Sequence, residues 1–556
     1  MTTRANYAEL KQAKTERVFD GLYEESKGAT ALGTVLDSAG KVSDGFSHSF
    51  LQNNTGALPE CLQKILDQTN GEHGALIVDS VLQGMKLHEK AHGYLPTADV
   101  IESALDSVMI SLAPLKDLKI DGVGSTAHHD ARSAMPEKIQ IGLLSSIAEA
   151  FPAATYLPTG IGSNQAILGI VNHQAGSEVG GYKIGQLLDG INTGDTYLSS
   201  ERRVALTFNA DRTTGTGALS LTAGGAANIK LLRGRTQVFV NGFHVAEENP
   251  NTNAAVVQSP ISGTAILKGT QYGISGSVNL MTGAVTLGFA PALPEGTTVV
   301  AEGYLDYELQ PEMAPVIETQ VQTFNHYAVA WRGLLSQTID SKTQYQNELG
   351  IDLQSESLLC ARNQVTVERH RSILRKALAL GQQNRQVFDF DYTTQMAQKT
   401  RAQIWQDFPS VLGICDQVMA ETTMDRGITH LYIGKRIKAQ WESLPRDLFE
   451  PSGLVAVPGI YRVGRLFGRF EVYYCPWELV ETANSSQILG LGRSTTPARN
   501  TFVMGDAVPV TILPTAFGTN MKYGQAIYTR NFTDVNKHQP SASGVCLIDV
   551  INLHSS

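Results

Sequence analysis

The most regular alternation of apolar and polar side chains runs through residues 316–332. One set of alternate positions is largely apolar or β-branched and comprises Ile317, Thr319, Val321, Thr323, Tyr327, Val329 and Trp331. Because alternate side chains of a strand point to opposite faces of a sheet, this period of two predicts a half-buried β-strand. At about 3.3 Å per residue the strand would span roughly 55 Å, whereas a usual strand has about six residues.

A long helix is predicted soon after this strand. Residues 340–349 predict a short helix that ends at Gly350, and Asp352 caps a second helix that reaches residue 380. At about 1.5 Å per residue the second helix would be roughly 43 Å long. A strand and a helix of these lengths do not both fit into one compact domain. They favour a subunit that reaches over its neighbours in an assembly.

The N-terminal region is predicted to be mostly helical as far as residue 112. Amphipathic segments, separated by turns that contain Gly or Pro, cover residues 5–26, 59–69, 74–92 and 97–112. Residues 28–54 are polar and rich in Gly and Ser, which is typical of an extended arm or linker. Residues 136–151 predict a further amphipathic helix.

The chain changes character at about residue 206, where charge nearly disappears and turn residues recur until about residue 307. Strands at 236–240 and 243–247 flank Asn241-Gly242, the strongest short-range hairpin signal. A three-residue loop, Met281-Thr282-Gly283, joins two further strands. The pattern predicts a small all-β module.

The remainder of the chain predicts a mixed α/β region. Helices within residues 393–423 are interrupted near Pro409, and a strand at 430–433 leads into a helix at 435–443. Strands dominate residues 454–529, and a short apolar strand follows at 545–553.

Composition favours an assembling protein. The 556 residues exceed the about 250–300 at which a single hydrophobic core stops growing. Only 17% of the residues are charged, compared with about 25% in an ordinary soluble domain. A surface with so little charge is poorly protected against association, although a Gly-rich β protein would show the same deficit.

The net charge of −9 argues against a protein that grips nucleic acid, because such a protein needs a concentrated basic surface. The densest basic cluster lies on the long predicted helix and comprises Arg369, Arg371, Arg375 and Lys376. A solvated or salt-bridged helix face is the better interpretation of this cluster than a DNA site.

Five cysteines without a CxxC pair indicate free thiols in a reducing compartment. The first 30 residues do not form a signal peptide, and no run of 18 apolar residues occurs. These features predict a protein that is made and used in a cytoplasm.

His88-Glu89-Lys90-Ala91-His92 is the segment closest to a catalytic motif. On a helix, His88 and His92 lie one turn apart, as two zinc ligands do, and Glu89 lies beside them as a general base. Lys90 between the ligands and the absence of a third histidine in the pattern argue against zinc. The other interpretation is a solvated helix C-terminus, where His and Lys complement the helix dipole. We therefore predict no catalytic, cofactor-binding or metal-ligating residue, and a zinc-dependent hydrolase using His88, Glu89 and His92 is the alternative function.

The order of these segments resembles that of the major capsid proteins of tailed bacteriophages, of the myovirus type. The run VIETQVQTFNHYAVAWRGLLSQTIDSKTQYQNELGIDLQSESLLCARNQVTVERHRSILRKAL is similar to the extended-loop strand and spine helix of that family. The run PGIYRVGRLFGRFEVYYCPWE is similar to its late strand pair, and ILGLGR and AVPVTILPTAFGTNMKYGQAIYTRNF follow. The resemblance covers roughly residues 151–532.

The resemblance implies an α+β fold with an N-terminal arm, an extended loop, a peripheral domain with a spine helix, an axial domain and an all-β insertion domain in the extended loop. The implied layout has six segments: 1–134, the N-terminal arm and helical extension; 135–205, the start of the capsid core and outgoing extended loop; 206–308, the insertion domain; 309–335, the returning extended-loop strand; 336–387, the spine helix; and 388–556, the axial domain and remaining peripheral sheet.

The resemblance also implies a structural protein rather than an enzyme. Hexamers and pentamers would form an icosahedral shell around double-stranded DNA, without sequence-specific binding, a cofactor or a membrane. The implied partners are scaffold and portal proteins, and often a maturation protease or decoration protein. The implied location is the virion, assembled in the cytoplasm of a bacterial host. Another virion component, such as a tail sheath or decoration protein, would share the composition but not the order of strand and spine helix.

Overall fold

The computed structural model describes residues 5–27, 35–36, 42–43, 47, 51, 58–68, 74–112, 143–144, 146–147, 150–159, 164–222, 225, 228–250, 253, 256–338, 344–345, 353–515 and 522–553. The chain divides into two compact units, a first unit of Met1–Ile170 with Thr323–Ser556 and a second unit of Val171–Gln322. Most of the predicted helix at 340–349, of the predicted arm at 28–54 and of the predicted helix at 136–151 lies outside the described residues.

The N-terminal part of the first unit is helical, as predicted. Its helices are α1 (Ala5–Lys27), α2 (Glu60–Gln68), α3 (Gly74–His92) and α4 (Ala98–Leu112). Two short strands, β1 (Val35–Leu36) and β2 (Val42–Ser43), pair antiparallel. Buried side chains of all four helices share one hydrophobic cluster, which includes Phe19, Leu62, Val81 and Leu105. Helix α3 ends at His92 because Gly93 adopts a positive φ of 82°, the conformation that favours glycine after a helix.

The second unit is built on one nine-stranded sheet in which every strand pair is antiparallel. Two strands of other sheets, β3 (Ala154–Tyr156) and β4 (Gln165–Ala175), come before it in the chain. The strands of the nine-stranded sheet are β5 (Glu201–Ala205), β6 (Thr207–Phe208), β7 (Thr214–Ala218), β8 (Gln237–Val240), β9 (Phe243–Glu248), β10 (Gln258–Leu267), β11 (Thr270–Asn279), β12 (Ala284–Ala290) and β13 (Val299–Tyr304). The spatial order is β5-β13-β8-β9-β10-β11-β12-β7-β6. The hairpin predicted at Asn241-Gly242 is confirmed between β8 and β9, and both turn residues have the positive φ that a type I′ turn requires.

The single strand predicted at 316–332 is wrong in two respects. Two strands, β14 (Ile317–Tyr327) and β15 (Val329–Thr338), replace it, because the chain changes partner at the buried Ala328. β14 pairs with β4 in a two-stranded sheet, here called the ribbon, whereas β15 pairs with β23 (Lys522–Val535).

β14 is also mostly exposed rather than half-buried. Ile317, Val321 and Tyr327 keep 49%, 60% and 59% of their surface accessible to solvent. Alternation in the sequence reports which side chains share a face of a strand, and it does not report whether anything covers that face.

The long helix predicted from Asp352 to residue 380 is confirmed as α5 (Leu353–Gly381). Its residues Ile373, Leu374 and Ala377 are buried in a cluster with Tyr432 and Leu547. The C-terminal half of the helix therefore packs on the sheet that follows it in the chain.

A seven-stranded mixed sheet forms the main core of the first unit. Its strands are β16 (Arg385–Asp389), β17 (His430–Ile433), β18 (Phe449–Pro451), β19 (Tyr461–Leu466), β20 (Phe470–Tyr474), β21 (Ser486–Leu491) and β24 (Val545–Ile551), in the order β16-β24-β21-β17-β20-β19-β18. The helices of this region are α6 (Tyr392–Gln395), α7 (Arg401–Trp405), α8 (Phe408–Thr423), α9 (Lys435–Glu442) and α10 (Gln539–Ala542). Pro409 lies in the first turn of α8, where its missing N–H costs nothing.

A four-stranded sheet completes the first unit. It has the order β15-β23-β22-β3, in which β22 is Phe502–Thr515. Among the described helices, none is both long and apolar enough to cross a membrane.

Candidate functional site

The histidines of the zinc-like motif are buried. His88 and His92 lie at the end of α3 with ring centroids 4.4 Å apart. Nδ1 of His88 is 3.1 Å from the carbonyl oxygen of Ile147, and Nδ1 of His92 is 2.9 Å from the hydroxyl of Tyr473. The interpretation as a solvated helix C-terminus is therefore wrong, because side chains distant in sequence cover this face of α3.

Glu89 does not join the two histidines. Its Oε2 accepts a hydrogen bond of 2.6 Å from the hydroxyl of Tyr23, and its Oε1 lies 3.9 Å from Nζ of Lys27, both from α1. In the part of the chain that the structure describes, no group of three or more His, Cys, Asp or Glu is arranged to hold a metal ion. The motif thus has no carboxylate beside its histidines and no third ligand among these residues.

Both histidines belong to a cluster of rings, here called the ring cluster, that joins α3 to the seven-stranded sheet. The ring of His92 is 5.7 Å from that of Tyr473, which is 5.9 Å from His430. Tyr94 closes the group, with its hydroxyl 3.4 Å from Nε2 of His430.

Helix α5 reaches the same cluster through His370. Its Nε2 is 3.3 Å from the hydroxyl of Tyr432, and its ring packs edge-on against Phe151 at 4.7 Å. Tyr432 stacks on Tyr473 at 5.4 Å. The sequence contains no local signal for this meeting of four histidines, because they come from segments hundreds of residues apart.

Burial keeps these histidines neutral. It lowers the pKa of His88 to about 4, of His370 to about 4 and of His430 to about 3, and the charge of Arg493 adds to the effect on His88 and His430. Burial also lowers the pKa of His92 well below its ordinary value. Because a carbonyl oxygen only accepts, Nδ1 of His88 must donate to Ile147, and its buried Nε2 has no hydrogen-bond partner among the residues that the structure describes. The arrangement suits packing and acid sensitivity rather than proton transfer at neutral pH.

A cavity of about 490 Å³ lies beside the ring cluster, and its wall includes Tyr94 and His430. Three charged side chains of its wall are already paired. Nη2 of Arg469 lies 2.7 Å from Asp416, Nη1 of Arg493 donates to the carbonyl of Pro152, and Glu471 accepts from two arginines. The cavity therefore shows no set of convergent free groups that would hold a substrate.

The basic cluster on α5 is salt-bridged, as the sequence predicts. Arg369 lies 2.9 Å from Asp506, and both side chains are largely buried. Arg371 and Arg375 share Glu478 at 2.9 and 3.1 Å. Lys376 lies 3.7 Å from Asp534. These cations bind the helix to the rest of the first unit and do not form an open basic surface.

Apolar side chains are exposed on the ribbon. In addition to the three on β14, Ile167 and Val171 of β4 are exposed. Only these two strands form the sheet, so neither has a second neighbouring strand in it. The ribbon is one of the long strand pairs of the described chain that carry exposed apolar side chains; β15 with β23, and β10 with β11, are others.

No family model matches the chain, and no curated protein matches it. Solved structures do match. A chain of the icosahedrally averaged capsid of the jumbo bacteriophage PhiKZ is 9% identical, and the match covers 72% of this chain and 91% of that chain with a TM-score of 0.36.

Two further structures are similar to parts of the chain. A chain of the mature capsid of bacteriophage PhiM1 is 8% identical, with 42% of this chain and 75% of that chain covered and a TM-score of 0.26. A chain of the SrpI encapsulin complex from Synechococcus elongatus is 9% identical, with 43% and 79% covered and a TM-score of 0.27. The structures that the chain resembles thus include bacteriophage capsids, as the order of its segments predicts.

Proposed function

We propose that this chain is a structural capsid protein. Copies would assemble through hexamers and pentamers into an icosahedral shell that encloses double-stranded DNA without sequence-specific binding. Scaffold and portal proteins are the proposed partners, with a maturation protease or a decoration protein as further candidates. The proposed location is the virion, after assembly in the cytoplasm of a bacterial host.

The exposed ribbon is the observation that carries this proposal. An isolated two-stranded sheet is marginally stable in water, and this ribbon, with strands of 11 residues each, has support within the chain at one set of positions, where Ala166, Leu168 and Ile170 of β4 are buried. The exposed positions of β14 have no such cover among the described residues. Ile317, Val321 and Tyr327 lie at alternate positions of β14 and therefore on one face. A neighbouring copy that covers this face would bury the apolar side chains and support the ribbon.

The electrostatics of the chain support a container better than a DNA-binding protein. The net charge is −9, and the four cations of the densest basic cluster are each paired with one of three carboxylates, Asp506, Glu478 and Asp534. A protein that held DNA tightly would present unpaired cations along a groove or face. A shell wall needs only to surround the genome.

We further propose a domain layout that follows from this function. Helix α5 is the spine of the peripheral domain, and β14 with β15 is the returning strand of the extended loop. The nine-stranded sheet is an insertion domain in that loop, and the seven-stranded sheet belongs to the axial domain. Helices α1 to α4 form a helical extension of the N-terminal arm. The compact second unit, Val171–Gln322, is wider than the insertion of 206–308 predicted from sequence, because it also includes β5 (Glu201–Ala205) of the nine-stranded sheet, the segments that lead to and from that sheet, and part of each strand of the ribbon.

The experiment compares assembly of the unmodified chain with two variants. Val321→Lys places a charge on the exposed face of the ribbon, and Val480→Lys makes the same change at a similarly exposed position of the first unit. Sedimentation velocity and negative-stain microscopy, with scaffold added if required, measure assembly. We expect closed shells from the unmodified chain and Val480→Lys, and folded, unassembled protein from Val321→Lys.

The outcomes separate the candidate functions. Tubes instead of closed shells would indicate a tail sheath, and binding only to preformed shells would indicate a decoration protein. A chain that stays monomeric at high concentration with scaffold present contradicts the proposal. Stoichiometric zinc that is lost in His88→Ala would instead support the hydrolase.

A further inference from the structure

β16 is one of the two edge strands of the seven-stranded sheet, and β18 is the other. β16 pairs with β24 on one side in an uninterrupted parallel register from Arg385 to Asp389, and none of the described strands lies on its other side. The row of backbone N–H and C=O groups that points away from β24 is therefore unpaired within the sheet. Natural proteins usually protect such an edge with proline, a bulge or a covering element, and β16 contains neither a proline nor a bulge.

An apolar side chain stands in the middle of this edge strand. Val387 is 54% exposed, on the face opposite to the buried Phe388. Arg385 and Asp389 flank it, and Arg385 is paired with Asp549. The edge thus offers unpaired backbone groups together with one accessible apolar position.

A second unpaired segment lies at the opposite side of the same sheet, in the connection between β18 and β19. At Ser452, the N–H donates to the carbonyl of Val463 at 2.8 Å and the hydroxyl donates to the carbonyl of Arg462 at 2.9 Å. Beyond Ser452, residues 454–457 have the sequence Leu-Val-Ala-Val and lie outside any helix or strand. Val455 is 84% exposed and Val457 is 48% exposed.

The N–H of Leu454 donates to Oγ of Ser452 at 3.2 Å, and the next three residues leave their backbone groups open to solvent or to a partner strand, as the edge of β16 does. Within the described residues, the N–H and C=O groups of Val455, Ala456 and Val457 make no hydrogen bond. Gly453, with φ of 73°, and Pro458 bound the segment on either side. It is a short, apolar, β-branched stretch with high strand propensity and no partner of its own.

We propose that residues 454–457 of one copy add as a strand to the free edge of β16 in the next copy. Strand addition satisfies both sets of unpaired backbone groups, and the alternate valines supply side-chain contacts beside Val387. This inference rests on the proposed function and identifies a contact between neighbouring copies within a pentamer or hexamer.

A second copy of this chain is the favoured occupant because both halves of the contact lie on one sheet. The free edge and the apolar segment occupy opposite sides of the sheet, so each copy accepts a segment at one side and donates its own at the other. Such a head-to-tail contact is heterologous, and it closes into a ring when the rotation between copies permits. A ring is the unit that a pentamer or hexamer requires.

Cysteine cross-linking tests the contact directly. Cys360 is exposed and is first replaced by serine, whereas the other four cysteines are buried. A chain that carries both Val387→Cys and Val455→Cys, or Val387→Cys and Val457→Cys, is assembled and then oxidised. Adjacent strands bring Cα atoms within the distance that a disulfide spans, so a ladder of covalent oligomers that ends at the pentamer or hexamer is expected.

The controls use the same substitutions separately. Val387→Cys alone and Val455→Cys alone are expected to give no ladder. A mixture of these two single variants is expected to give covalent dimers only, because each copy then has one reactive end. Val480→Cys with Val455→Cys is the matched pair in which one cysteine lies away from β16, and it is expected to give no ladder.

A charge at the segment gives an independent readout. Val455→Asp is expected to abolish ring and particle formation while the thermal transition of the monomer is unchanged, and Val480→Asp is expected to assemble normally. Shells that form without the covalent ladder, or that form from Val455→Asp, overturn the strand addition and leave the proposed function intact. If the unmodified chain forms neither rings nor shells at any concentration, both proposals fail.

Discussion

Strand β17 of the seven-stranded sheet and strand β14 of the ribbon are both predicted from sequence, yet they differ in the number of neighbouring strands and in burial. β17 lies between β20 and β21, and all four of its residues are buried. β14 has only β4 beside it, and most of its residues are exposed on both faces. The sheet is thus covered on both sides of β17 by neighbouring strands. The ribbon is covered in part, because Ala166, Leu168 and Ile170 of β4 pack into a small cluster of the first unit, whereas β14 stays largely exposed among the described residues. Under the proposed function, the exposed positions of β14 are where another copy would supply contacts.

The largest expected effect comes from removing one large aromatic side chain in each region. Trp441 is fully buried, 5.5 Å from the ring of Trp405, whereas Tyr327 on the ribbon is exposed. Trp441→Ala should lower the free energy of unfolding by about 3–5 kcal/mol, because it leaves a cavity in the core. Tyr327→Ala should change it by less than about 0.5 kcal/mol.

Urea unfolding of both variants in the unassembled Val321→Lys background measures this difference. Trp441→Phe is the matched control, since it keeps a ring in the core and removes an indole N–H that has no hydrogen-bond partner. A loss for Tyr327→Ala as large as that for Trp441→Ala would mean that the ribbon is part of the core of the chain.

The same small change at two valines sharpens the comparison further. Val472 of β20 is buried in the core cluster, and Val321 of β14 is exposed. Val472→Thr should cost about 1–3 kcal/mol in the free energy of unfolding, because a hydroxyl is buried without a partner. Val321→Thr should cost less than about 0.5 kcal/mol in the isolated chain.

Assembly should rank these two variants in the opposite order. Val321→Thr removes an apolar contact at every copy of a repeated interface, so it should raise the protein concentration needed for particle formation. Val472→Thr should leave that concentration unchanged under conditions where the variant is folded. Light scattering against concentration measures it, and equal thresholds for Val321→Thr and the unmodified chain would contradict an interface at this face.

The two regions also differ in how far the sequence predicts them. The start of helix α5 and the Asn241-Gly242 hairpin follow from local signals in the sequence, namely an aspartate before the helix and a turn that needs positive φ. The alternation at 316–332 correctly predicts strand structure. It does not predict the break at Ala328, because that break depends on β4 and β23, which lie far away in sequence.

For the ring cluster, too, the sequence predicts local structure but not contacts between distant segments. The spacing of His88 and His92 on one helix face is visible in the sequence, and the helix ends where Gly93 predicts. Their burial is not visible, because Tyr473 and Ile147 belong to other segments. The five-residue pattern therefore resembles a zinc site in sequence, whereas in the structure its two histidines are packed in the interior.

Acid should weaken the first unit through these histidines. A folded state that keeps His370 neutral binds fewer protons than the unfolded chain between the ordinary pKa of 6.5 and the folded pKa of about 4. Stability is therefore fully present above pH 6.5 and falls by about 1.4 kcal/mol per pH unit for each such histidine as the pH drops through this window.

His370→Gln should remove one histidine's share of this pH dependence, which urea unfolding at several pH values measures. His244→Gln is the control, because His244 is exposed and belongs to the second unit. An unchanged slope in His370→Gln would mean that other groups cause the acid sensitivity. Hydrogen exchange should show that acid first exposes α3 and the end of α5, where the ring cluster joins them.

The smallest expected effect on the first unit comes from the largest deletion. At the outer end of the ribbon, the N–H of Gly176 donates to the carbonyl of Val316 at 2.7 Å, and the N–H of Val316 donates to Oγ of Ser177 at 3.0 Å. The two chain ends are therefore already adjacent, so residues 177–315 can be replaced by a short Gly-Ser linker. The second unit also has its own buried cluster, which includes Val238, Ile261 and Leu287.

The shortened chain should keep a cooperative thermal transition, with a Tm for the first unit within about 2 °C of the original, because few contacts of its core are lost. Residues 171–322 expressed alone should show a separate cooperative transition, as expected for a unit with its own core. Assembly should nevertheless weaken, since the shortened ribbon no longer carries the nine-stranded sheet to neighbouring copies. Loss of the cooperative transition in the shortened chain would show that the first unit needs the second unit in order to fold. The seven-stranded sheet would then not be stabilised by the first unit alone.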